Sequence, residues 1–99
     1  AKISDDARLL FSVRYEIEKE LRRIWKEYFE KEEGKPEKSF FQMISSLSEL
    51  RVIKAEHTVV IRDVYNVCSL AIHGLQVSKN QIKFVREIKP ELIKSLKAV

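Results

Sequence analysis

The chain has 99 residues, of which 44% are apolar and 34% charged, with only two glycines and two prolines. That is one small domain with material for one modest core, and so little Gly and Pro excludes collagen-like, disordered and loop-dominated all-β classes in favour of long helices. The net charge of +4 is small and spread among acidic residues, so charge alone is weak support for an anionic partner.

The first element is predicted over residues 5–30, free of Gly and Pro and preceded by Ser4-Asp5-Asp6, any of which can cap a helix. At about 100° per residue, Ala7, Leu10, Phe11, Ile17, Leu21, Ile24, Trp25, Tyr28 and Phe29 gather on one side, as in a long amphipathic helix. Glu30-Lys31-Glu32-Glu33-Gly34-Lys35-Pro36 reads as a charged loop containing both breaker residues. Ser39 with Gln42 is a capping-box signature, followed by Phe40, Met43, Ile44, Leu47 and Leu50 on a second, shorter helix. A third helix starts between Ala55 and Thr58 and runs to His73, with Gly74 where a left-handed C-terminal cap would sit. The β-branched Val59-Val60-Ile61 could pass for a strand, but the pattern through Ile72 is too long and too free of turn residues. Ser78 and Gln81 repeat the capping box before a fourth helix bearing Ile82, Val85, Ile88, Leu92, Ile93 and Leu96, which Pro90 is expected to kink or break.

Four helices with short loops predict an all-α, antiparallel four-helix bundle spanning residues 1–99 as one domain. A chain beginning at Ala reads as processed or as a domain excised from a longer protein. The single cysteine rules out an internal disulfide framework and fits a reducing compartment, so a cytoplasmic location is expected. No apolar run approaches the roughly 18–20 residues of a membrane span, and no membrane insertion by this segment is expected.

The informative residues interrupt the apolar pattern. Arg14 and Glu18 fall in the middle of the first helix's apolar face, four apart and able to pair. A charged pair turned toward a core needs polar company, because an unpaired buried charge costs several kcal/mol. The third helix offers Arg62, Asn66, Ser69 and His73, spaced four, three and four, on one narrow stripe of an otherwise apolar helix. The expectation is a polar cavity or interhelical network in which Arg14 and Glu18 face Asn66 and His73, with Arg62 at the outer end.

The segments LLFSVRYEIEKELRRIW, IRDVYNVCSLAIHG and VSKNQIKFV together resemble the HEPN superfamily of small helical bundles. The likeness extends over nearly the whole chain and is nearest to an uncharacterised bacterial branch in which N-x6-H-G ends a helix and an S-x-x-Q cap opens the last one. It implies a HEPN-like bundle, homodimerisation or a neighbouring domain as partner, and RNA or a nucleotide as ligand. HEPN nucleases carry an Arg, four to six residues, then His, and the dimer of such motifs cleaves RNA without metal. Here His73 matches the His, but Asn66, Val67 and Cys68 stand where the Arg belongs, and Arg62 is ten intervening residues away. Asn66 can donate hydrogen bonds but has no charge to meet a developing phosphorane, so the departure argues against catalysis. His73 and Arg62 remain the candidates should the fold cleave RNA, with His73 moving the proton.

Each feature has a plainer reading. His73 can serve the last carbonyls of its helix, Arg14 with Glu18 can fix helix register, and Cys68 and Trp25 can be core. Arg22, Arg23 and Lys26 can form a solvated face. With His57 as the only other His and neither CxxC nor HExxH, a protein-only zinc site is not expected, nor is any cofactor. Three functions stay open: a non-catalytic HEPN-like binding or dimerisation module, a metal-independent RNase, or a scaffold whose polar stripe serves packing alone.

Overall fold

A computed structural model describes residues 4–29 and 38–99. It contains four α-helices, α1 (Asp5–Phe29), α2 (Phe40–Glu49), α3 (Ala55–Ile72) and α4 (Lys79–Lys97), and no strand among the described residues. The charged loop expected at residues 30–36 lies outside the described residues.

The helix starts follow the capping signals. Ser4 Oγ accepts from the backbone N–H of Ala7 at 3.1 Å, ahead of Asp5 and Asp6 in the first turn of α1. Both capping boxes are complete: the Gln42 N–H donates to Ser39 Oγ and the Ser39 N–H to Gln42 Oε1, and Gln81 and Ser78 exchange the same two bonds. Gly74 takes φ +71°, with the Leu75 N–H reaching the Leu70 carbonyl and its own N–H reaching Ala71. That pair of bonds is a Schellman ending. Arg51 closes α2 in the same way at φ 58°, without a glycine to mark it.

Burial of the apolar stripes holds the helices together. Leu10, Val13, Ile17, Leu21 and Ile24 of α1 are buried, against Met43, Ile44 and Leu47 of α2, Ile61 and Val64 of α3, and Val85, Leu92 and Leu96 of α4. Each such side chain stabilises by roughly 1.5–3 kcal/mol. Several expected core positions are more open: Phe11 and Trp25 are half-buried, and Tyr28 and Leu50 are exposed. Pro90 does not break α4, which continues to Lys97. Leu92, Ile93 and Leu96 beyond it are buried, and that burial outweighs a local cost of about 3 kcal/mol.

The helices do not simply alternate in direction. Asp6 meets Arg86 at 3.2 Å, Glu16 meets Lys89 at 3.9 Å, and Arg23 meets the carbonyls of Leu96 and Val99 at 2.9 and 3.2 Å. Numbers rising together along both helices mean that α1 and α4 run in the same sense. The expected up-down-up-down bundle would oppose them. The cause is the shortness of α2: ten residues cover only about 15 Å, against about 37 Å for α1. The return pass falls to α3, which the short connection 73–78 joins to α4. Thus α1 and α3 pack on each other and on both remaining helices, whereas α2 and α4 make no contact among the described residues.

Candidate functional site

The charged pair on α1 forms as the spacing requires: Arg14 Nε donates to Glu18 Oε1 at 3.1 Å. Its partner from α3 is Tyr65, whose hydroxyl donates to the same carboxylate oxygen at 2.8 Å. The Tyr65 ring lies parallel to Phe40, with centroids 3.5 Å apart, and takes the edge of Phe41 at 5.8 Å. The Arg14 guanidinium carbon sits 4.9 Å over the same ring. Since Phe40 fills one face, the cation occupies the other, and Phe40, Tyr65 and Arg14 make a three-layer stack from three helices.

This cluster sits at the edge of the core. Burial alone would lower the Arg14 pKa, but Tyr65 and Glu18 outweigh it and hold the group above its ordinary value. Burial, then the bond to Glu18, raises the Tyr65 phenol, against the opposing pull of Arg14. Cys68, fully buried beneath, is pushed up to about 11 by burial, which Arg14 only partly offsets. A thiol so protonated is no nucleophile near neutral pH, in keeping with the plain reading of Cys68 as core.

The α3 stripe lies elsewhere than expected. Arg62, Asn66 and His73 are exposed and Ser69 is half-buried. Ser69 Oγ donates to the Tyr65 carbonyl at 2.9 Å, and Arg62 Nη2 donates to Ser45 Oγ of α2 at 2.9 Å. No hydrogen bond among the described residues joins Arg14 or Glu18 to Arg62, Asn66, Ser69 or His73. The reason is one of phase. The face of α3 turned inward is Thr58, Ile61, Val64, Tyr65 and Cys68, and the stripe begins at its edge and continues onto the solvent side. Tyr65 is the partner of the charged pair that the apolar pattern conceals, and the signal that could have found it is its hydroxyl, which needs a partner when a tyrosine is buried.

His73 is the C-cap of α3, its backbone N–H donating to Ser69, and its ring makes no hydrogen bond among the described residues. Arg62 and His73 are separated by about 16 Å along the helix axis. Of the basic residues on α1, Arg23 is engaged internally: Nε donates to Glu20, Nη1 to Glu27 and the Val99 carbonyl, and Nη2 to the Leu96 carbonyl. The bonds to Glu20 and Glu27 raise its pKa against the effect of burial. An open recess of about 460 Å³ along this helix is lined by Tyr15, Glu18, Lys19, Arg22, Arg23 and Lys26. No group of metal-ligating side chains occurs among the described residues, and no helix among them is long and apolar enough to cross a membrane. Comparison with protein-family models, with curated proteins and with solved structures finds no match.

Proposed function

We propose that the chain is a non-catalytic, HEPN-like binding and dimerisation module that works through the outer face of α3. The observation that carries this reading is the exposure of Arg62, Asn66 and His73 on that face. A stripe serving packing alone would be turned inward and bonded to the core, so its position favours recognition over scaffolding. The HEPN likeness rests on the sequence segments given above. Catalysis is disfavoured by the missing Arg and by the separation of Arg62 from His73 along α3.

The test is light scattering beside incubation of a structured RNA without metal, for wild type, His73→Ala and Asn66→Arg. A dimer is expected for wild type and a monomer for Asn66→Arg, because a self-complementary interface through the outer face of α3 would bury position 66, where a new charge has no partner. Helicity should be unchanged in both variants. Wild-type RNA should stay intact; cleavage that disappears in His73→Ala would replace this reading with a nuclease. A monomeric wild type would remove dimerisation.

A further inference from the structure

We infer that Arg14 is an anion-recognition residue, holding out a pre-oriented guanidinium fork that takes a single oxyanion of the carboxylate or phosphate type. The inference does not depend on the α3 stripe and concerns a different part of the surface.

Three observations converge. The guanidinium is fixed in plane and direction, since Glu18 holds it at Nε and the Tyr65 ring, itself immobilised by Phe40, lies beneath it. Its two Nη atoms, which carry four of the five N–H donors of an arginine, have the Tyr65 hydroxyl as their polar neighbour but donate to no carboxylate or carbonyl oxygen among the described residues. The side chain is 26% exposed, so solvent reaches it. An arginine whose side chain is already ordered loses less conformational freedom on binding, and its paired Nη donors match the spacing of two oxygens on one carboxylate or phosphate.

The surrounding charge does not oppose an anion. The charge of Glu18 is met by Arg14 itself and its Oε1 by the Tyr65 hydroxyl. Glu18 also lines the recess that contains Lys19, Arg22, Arg23 and Lys26.

The test uses the uniformly ¹⁵N-labelled full chain. Inorganic phosphate, acetate and chloride are added in separate titrations at constant ionic strength and pH 7, while the Arg14 Nε–Hε resonance is followed. A saturable shift with phosphate or acetate, and none with chloride, is expected, and the arm that saturates names the source of the oxyanion. In Arg14→Lys, which keeps the charge and loses the fork, the saturable response read at Tyr65 should weaken at least about tenfold. A linear shift equal to that from chloride would overturn the inference in wild type alone, and a saturable response undiminished in Arg14→Lys would overturn it too. Dimerisation is not read in this experiment, so failure here leaves the proposal for α3 standing.

Discussion

Arg14 and Arg23 stand on the same helix, and each pairs with a glutamate four residues further on. Beyond that local bond they diverge. Arg23 lies over the end of α4, and its guanidinium supplies hydrogen bonds to the carbonyls of Leu96 and Val99. Arg14 lies over a tyrosine ring, which attracts the cation but presents no carbonyl or carboxylate oxygen to its terminal nitrogens. One arginine closes the structure and the other is held in place with donors to offer. The difference comes from what the neighbouring helix presents at that height, a helix end or an aromatic face.

The sharpest way to break this comparison is to remove the ring. Tyr65→Ala takes away a buried aromatic side chain along with its stack on Phe40, and should cost about 3–5 kcal/mol in chemical denaturation. Tyr65→Phe keeps the stack and deletes only the bond to Glu18, so a loss of about 1–2 kcal/mol is expected. Wild type and Tyr65→Phe also differ in alkaline solution. The folded-state pKa of Tyr65 is raised, so its contribution is complete below the ordinary value of 10.0 and is lost as pH rises through the folded value. Melting temperature followed above pH 10 should fall less steeply in Tyr65→Phe than in wild type. An equal fall in both would mean that burial and the bond to Glu18 do not hold the phenol in its neutral form.

Arg23 is the counter-test. Arg23→Ala removes two carboxylate bonds and two carbonyl bonds, yet the side chain is 35% exposed, so solvent replaces much of what is lost. A cost of about 1 kcal/mol is expected, with hydrogen exchange accelerated most in the last turn of α4. If exchange instead rose evenly over the molecule, Arg23 would not be the tie between α1 and the end of α4.

Much of this was legible in the sequence, and what was not has a physical reason. The capping boxes at Ser39 and Ser78 and the Gly74 ending are local signals, written within a few residues of the geometry that they specify. The Arg14–Glu18 pair is local in the same sense. The partner of that pair is not, because a phase error of one residue on α3 moves a side chain by about 100° and exchanges Tyr65 for Asn66. Arg23 reaches residues 73 and 76 positions away, which no spacing rule announces. The direction of α4 relative to α1 likewise depends on how far short α2 falls of a full pass, a property of assembly and not of any segment.

Two helix ends repeat the lesson of the two arginines on a smaller scale. Both α2 and α3 finish in the Schellman pattern with one residue in the left-handed region, Arg51 at φ 58° and Gly74 at φ 71°. A side chain in that region costs about 1–2 kcal/mol relative to glycine, through the contact of its Cβ with the following carbonyl. A Cβ at Gly74 would meet nothing within 4 Å, so Gly74→Ala tests the backbone cost alone and should destabilise by about 1 kcal/mol, a fall of roughly 4–8 °C in Tm. Arg51→Gly should do the reverse. Relief of the strain is partly offset by the greater freedom of glycine in the unfolded chain, leaving a gain of about 0.5–1 kcal/mol. The side chain of Arg51 is exposed and makes no hydrogen bond among the described residues, so nothing else is lost with it. If Arg51→Gly melted below wild type, backbone strain would not govern that turn, and the likeness between the two helix ends would stop at their hydrogen bonds.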